Sequence, residues 1–138
     1  MELDFAKSDG LVPAIVQDAT TGEVLMLGFM NEAALAETRR SGDVVFYSRT
    51  RQRLWKKGES SGHTLRVREM RIDCDADALL VRVDPAGPGV CHEGYRSCFF
   101  RQWGADGEAR VVQERTFDPG AVYGKPFGSE PQGKGGGQ

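Results

Sequence analysis

The stretch LVPAIVQDATTGEVLMLGFM (11–30) is apolar at both ends and polar in the middle. It predicts two strands joined by a turn with Thr-Thr-Gly at its tip. The period then changes. MNEAALAETRRSG (30–42) reads as a short helix, with Asn31 placed to cap its N-terminus and Met30 and Leu35 at the staple positions on either side. Arg39 and Arg40 fall in the last turn, where positive charge favours the helix dipole, and Gly42 can close it. Beyond Gly42 strand patterns dominate: DVVFYSRTR (43–51), TLRVREMRID (64–73), DALLVRV (77–83), then SCFFRQW (97–103) and ARVVQE (109–114) around the turn GADGE. Two glycine-bearing loops, KKGESSGH (56–63) and DPAGPGVCHEG (84–94), hang between them, and such loops are where chemistry usually sits. The chain shows no internal repeat. The expected fold is α+β, mainly antiparallel, with one or two short helices in one domain over 1–127. A low-complexity tail, GSEPQGKGGGQ (128–138), is expected to be disordered.

Composition narrows the class. At 138 residues, 39% hydrophobic and 28% charged, the chain reads as an ordinary globular protein. It contains no apolar run of the ~18 residues a bilayer crossing needs. The N-terminal MELDFAKSDG lacks an apolar signal core, so the expected compartment is the cytoplasm. A net charge of −2 argues against nucleic acid as a partner. Yet RTRQRLWKK (49–57) carries five positive charges and no negative ones, leaving −7 on the remainder. Positive charge so localised suits an anionic small molecule.

The metal-ligating residues fall in two groups. If residues 72–77 are extended, Asp73, Asp75 and Asp77 share one face and Cys74 takes the other. Three carboxylates that close either lie in water or are held by a cation, and oxygen-only ligands suit Mg²⁺ or Ca²⁺. The alternative is a polar turn before the strand ALLVRV. An EF-hand is excluded, because Ala78 stands where its glycine belongs and Asp84 where its glutamate does. Cys74, Cys91 and Cys98 are the three cysteines, and their spacings of 17 and 7 fit no two-pair zinc finger. Three thiolates without a fourth protein ligand leave one zinc position for water, the catalytic arrangement. The competing account makes each cysteine a small buried hydrophobe.

Arg49, Arg51 and Arg53 recur with period two, so an extended segment presents them together. With Lys56 they form a candidate phosphate grip, or else a charge-protected edge strand. The two histidines, His63 and His92, each lie in a glycine-bearing loop and suit proton transfer, unless they are ordinary hydrogen-bonding residues. Glu59 and Glu93 are further acid–base candidates, against a solvated-surface reading.

Taken in order, FYSRTRQRLWKKGESSGHT, DCDAD and GVCHEGYRSCFFR resemble the phosphoribosyl-AMP cyclohydrolases of histidine biosynthesis, as does LVPAIVQDATTGEVLMLGFMNEAAL. The likeness runs from about Leu11 to Arg101, with AVYGKPF as a continuation. Phe29 and Phe100 stand where tyrosine is often seen, and Glu93 where threonine is common. The resemblance implies hydrolytic opening of the adenine ring of phosphoribosyl-AMP between N1 and C6, giving the formimino-carboxamide ribotide by way of a zinc-bound hydroxide. It implies zinc on Cys74, Cys91 and Cys98, and magnesium on Asp73, Asp75 and Asp77. It also implies an intertwined homodimer with zinc ligands contributed across the interface. Proton transfer is expected of His92 and His63. A substrate phosphate is expected at Arg49, Arg51, Arg53 and Lys56, with Glu59 nearby. Some relatives carry a second, helical domain that hydrolyses phosphoribosyl-ATP; none is seen before GKGGGQ, so only the cyclohydrolase step is expected. Two other classes bear comparison. A non-catalytic zinc protein would use the thiolates to staple a dimer, whereas a base deaminase would need H-x-E and P-C-x-x-C, both absent.

Overall fold

A computed structural model describes residues 1–123, so the tail 128–138 and the end of AVYGKPF lie outside the described residues. After a single 3₁₀ turn (Ala6–Ser8) come β1 (Val12–Asp18), β2 (Val24–Met30) and α1 (Glu32–Ser41). They are followed by β3 (Val45–Ser48), β4 (Arg53–Lys56), β5 (Leu65–Ile72) and β6 (Leu79–Pro85). The short strands β7 (Arg101–Trp103) and β8 (Ala109–Val111) and the helix α2 (Pro119–Tyr123) complete the described chain. The class is α+β, mostly strands with two short helices.

The main sheet has the order β2-β1-β6-β5, and β3-β4 and β7-β8 are separate hairpins. Pairings are antiparallel except in the middle, where β1 runs parallel to β6 with Ala14 opposite Leu79 and Asp18 opposite Val83. The sequence pattern did not announce that parallel pair, because the two strands are far apart in the chain. Strand alternation places Val12, Ala14 and Val16 of β1 and Leu79, Val81 and Val83 of β6 in one buried layer. Met30 at the end of β2, Ala34 of α1, Val44 just before β3 and Phe46 within it close the layer. Gly28 permits this closeness: a Cβ there would stand 2.5 Å from the Phe46 ring. Truncating a residue as enclosed as Leu25 or Met30 to alanine costs roughly 2–5 kcal/mol.

The helix forms as the sequence predicts. Asn31 Oδ1 accepts the Ala34 N–H at 2.8 Å, and Gly42 ends the helix at φ 83° with its N–H on the Thr38 carbonyl. Three extended assignments are corrected. Residues 73–78 form a turn, because the Asp73 side chain accepts the N–H groups of Asp77 (2.9 Å) and Ala78 (3.2 Å) and Ala76 turns left-handed at φ 64°. Residues 49–52 also turn: Ser48 Oγ accepts the Arg51 N–H at 3.2 Å, and Gln52 sits at φ 54°. Residues 97–100 bond sideways to β2, Ser97 Oγ to the Val24 carbonyl (2.8 Å) and Cys98 N–H to the Leu25 carbonyl (2.7 Å), so the strand begins only at Arg101. No helix of the described residues is long and apolar enough to cross a membrane.

Candidate functional site

The sheet divides its chemistry between its two ends. At the end where β2 begins and β6 finishes lies the loop 90–98. It folds back on itself through Val90 N–H to Arg96 O and Cys91 N–H to Tyr95 O, both 3.1 Å, with Gly94 at φ 96°. Arg96 anchors it, reaching the buried Asp18 carboxylate and Glu23 (2.7 Å) on the β1–β2 turn. Tyr95 and Phe100 stack at 3.7 Å between centroids, with Arg115 over Tyr95. This scaffold brings Cys91 and Cys98 within hydrogen-bonding reach of each other. The Cys91 thiol is lowered to about 7, first by the hydrogen bond from Cys98 and further by the Glu93 N–H, which lies 3.4 Å from the sulfur. Cys98 is pushed upward, chiefly because it gives that hydrogen bond to Cys91.

Three other groups, His92, Lys57 and Tyr123, belong to the surroundings of the two sulfurs, and His63 lies on the adjoining loops. Half-buried His92 is shifted down, mostly by burial and further by the charge of Lys57. Lys57 itself is only 7% exposed, and burial lowers its pKa against the pull of Cys98 and Cys91. Tyr123 of α2 bonds Ser61, feels the charge of both cysteines, and is raised by burial. His63 links the two glycine-bearing loops. A Cβ on Gly87 would lie 2.4 Å from its ring, and one on Gly58 would lie 2.5 Å from its backbone carbonyl, so glycine makes the seat possible. Its ring meets Phe117 edge-on at 4.9 Å, and its buried Nδ1 has no hydrogen-bond partner among the described residues. An orphaned ring nitrogen facing the site loops suits a ligand.

The opposite end of the sheet carries oxygen. The 73–78 turn precedes Leu79, whose β1 neighbour Ala14 pairs with Gly28 late in β2. One carboxylate oxygen from each of Asp73, Asp75 and Asp77 lies within 4.8 Å of the other two. Asp77 is raised, chiefly through its hydrogen bond with Asp75, and Asp75 is lowered by the same contact. Lys7 stands over them, 3.3 Å from Asp77 and 3.6 Å from Asp75. The trio thus gathers as the sequence suggests, but by a turn in which Asp73 bonds the backbone, not by strand alternation. Cys74 lies in this turn, exposed and at the far end from Cys91 and Cys98; the three thiols do not come together within one chain.

The basic residues also separate. Arg49 and Arg51 belong to the β3–β4 tip, not to a strand face, and Arg49 covers the Phe29 ring at 4.3 Å, on the oxygen end. Arg53 pairs with Glu59 at 3.4 Å, and Lys56 with Asp43 at 3.4 Å. Arg51 has no side-chain partner among the described residues. Two residues escaped sequence reasoning. Lys57 looked like one more charge in a basic run, although alternation from the apolar Val44–Phe46 segment, whose Val44 carbonyl takes the Lys57 N–H, could have flagged burial. Tyr123 lay in AVYGKPF, which offers no pattern of its own.

The donor sets fit two kinds of ion. Two adjacent sulfurs, one with a lowered pKa, suit zinc but supply half of a tetrahedral shell. Three hard oxygens within reach of one point suit magnesium, whose remaining positions are commonly filled by water or phosphate.

Comparison with known proteins shows the family. A model of the family described as phosphoribosyl-AMP cyclohydrolase matches residues 26–100. The phosphoribosyl-AMP cyclohydrolase of Solibacter usitatus is 60% identical over 124 residues, which cover 90% of this chain and 98% of that protein. Its counterpart in Desulforapulum autotrophicum is 53% identical over 123 residues, 89% of this chain and 98% of the relative. The Haloquadratum walsbyi protein of the same name is 56% identical over 123 residues, 89% of either chain.

Proposed function

The chain belongs to the phosphoribosyl-AMP cyclohydrolase family, and on that premise we propose that it hydrolyses the N1–C6 bond of the adenine ring of phosphoribosyl-AMP in histidine biosynthesis. The observation that carries this reading is the pairing of Cys91 with Cys98 in a loop that also holds His92. A ribosyl group on N1 makes the adenine resemble an amidinium, so C6 is electrophilic. Zinc held by Cys91 and Cys98 would supply the Lewis acidity that makes water nucleophilic near neutral pH. His92 and His63 accept the proton released by the attacking water and deliver one to N1 as the ring opens.

The third sulfur is Cys74 of a second copy. Within one chain Cys74 lies at the wrong end of the sheet, yet it is exposed, as is Cys98. Beside Cys98 the chain exposes Phe99 (57%), Trp103 (81%), Val111 and Val112. An apolar surface of that kind marks an interaction site, and a homodimer covers it while joining the ends. The same union brings Asp73, Asp75 and Asp77, suited to magnesium, toward the sulfur end of the other copy. Arg49 and Arg51 travel with them and grip a substrate phosphate; Glu59 orients Arg53, and Lys56 adds charge.

The direct test is to incubate the protein with phosphoribosyl-AMP and follow ultraviolet absorbance. Ring opening that stops with a chelator and returns with zinc supports the reading. A zinc-loaded protein that leaves the spectrum unchanged overturns it in favour of a metal-stapled structural protein. His92→Ala should slow turnover with zinc content unaltered, and an unchanged rate removes His92 from the proton path.

A further inference from the structure

His63 lacks the device that usually aims a proton-carrying histidine. Such a ring is ordinarily oriented by a hydrogen bond to one nitrogen, which fixes the tautomer and the direction of the other. In His63 the Nδ1 atom is buried and has no hydrogen-bond partner among the described residues. The backbone is secured, with the His63 N–H on Ser61 Oγ at 3.1 Å and the carbonyl seated against Gly58. The ring is therefore aimed by packing. Gly87 comes so close that a Cβ there would lie 2.4 Å from Cδ2 of the imidazole. Phe117 meets the ring edge-on, with centroids 4.9 Å apart and planes at 88°. Edge-to-face pairs have a preferred geometry, so this contact restrains the angle of the ring as well as its place.

Phe117 is held in turn by the thiol loop. The segment 113–118 lies across that loop and the β1–β2 turn. Gln113 Nε2 donates to Glu23 at 3.1 Å, and Arg115 Nε donates to the Glu93 carbonyl at 2.8 Å. The Gly94 carbonyl accepts both the Thr116 N–H (2.8 Å) and the Phe117 N–H (3.3 Å). The crossing is tight: a Cβ on Gly94 would stand 2.6 Å from the Phe117 carbonyl oxygen. The Phe117 backbone is thus fixed to the loop of Cys91 and Cys98, while its ring reaches the loop of His63.

We propose that Phe117 is a positioning residue for His63, setting the angle of the imidazole and referring it to the thiol loop. This rests on the assignment of His63 to proton transfer. It makes the segment that follows β8 part of the site.

The test is a double-mutant cycle on the zinc-loaded protein, with kcat, KM and zinc content measured for the parent, Phe117→Ala, His63→Ala and the double variant. F117A should lower kcat by about tenfold or more, with zinc content at the parental level and KM within about twofold. In the H63A background the same change should cost less than about twofold, because the ring that Phe117 aims is gone. Phe117→Tyr keeps the aromatic contact and should stay within about threefold of the parent. Should F117A fail to fold, Phe117→Leu, which keeps apolar bulk without a ring, carries the same expectation. A parental rate in F117A overturns the proposal. So does an F117A that slows H63A as much as it slows the parent, or that loses zinc, since Phe117 would then serve the loop and not the histidine. An F117Y as slow as F117A also overturns it. H63A at the parental rate defeats the proton-transfer reading of His63 itself, a distinguishable result.

Discussion

The two ends of the sheet hold opposite kinds of chemistry in opposite degrees of completion. At one end a six-residue turn brings three carboxylates within 4.8 Å of one another, exposed and partly neutralised by Lys7. At the other, two thiols meet inside a loop pinned to β2 by Ser97 and Cys98 and to the end of β1 by the Arg96–Asp18 pair, with His92, Tyr123 and Lys57 as neighbours. The oxygen group is a local product of its own sequence. The sulfur group depends on tertiary structure, and it is unfinished, since the remaining cysteine belongs to the oxygen end. On the proposed zinc reading, such a chain would complete its ligand set from a second copy.

The sharpest way to break this contrast is to remove a sulfur. Cys91→Ala or Cys98→Ala should lower turnover by about a thousandfold or more and abolish stoichiometric zinc, with Cys74→Ala doing the same from the other end. If C74A keeps full zinc and activity, the division of labour is wrong. Next in size, Asp77→Asn should weaken Mn²⁺ binding, read by titration, by about tenfold or more while zinc content stays at the parental level. Loss of both metals together would mean that the ends do not act as separate sites.

A smaller effect concerns acidity. Because Cys91 is lowered to about 7, its thiolate absorbance in the metal-free protein should grow as pH rises through about 7. The principal cause is the hydrogen bond from Cys98, so C98A should move that rise to higher pH; no movement would dissolve the coupling of the pair. Smallest of all, Asn31→Ala should cost about 1 kcal/mol of stability in denaturant unfolding and leave zinc and turnover untouched, since the cap serves the fold alone.

The contrast also explains what could be read from the sequence. The helix, its Asn31 cap and its Gly42 stop were legible because capping is local, and the β1–β2 hairpin because its period-two pattern is unbroken. The aspartate cluster was legible for the same reason, although its conformation was not: alternation was assumed where Asp73 bonds the backbone and makes a turn. A similar assumption put Arg49, Arg51 and Arg53 on one strand, where the Ser48 hydroxyl and left-handed Gln52 build a hairpin tip. The meeting of Cys91 and Cys98 was not legible, because it depends on the parallel β1–β6 pairing and on long-range bonds such as Cys98 N–H to Leu25 O. Lys57 was hidden by its own neighbours, a buried charge inside a run of solvated ones.

Mixing two dead variants tests the shared centre most directly. C74A and C91A, each inactive alone, are combined one to one, exchanged through mild denaturation, and assayed for ring opening. If every site takes Cys74 from one chain and Cys91 with Cys98 from another, half of the dimers are mixed and each has one intact centre, so about a quarter of parental activity returns. A mixture that remains as inactive as its components contradicts the account.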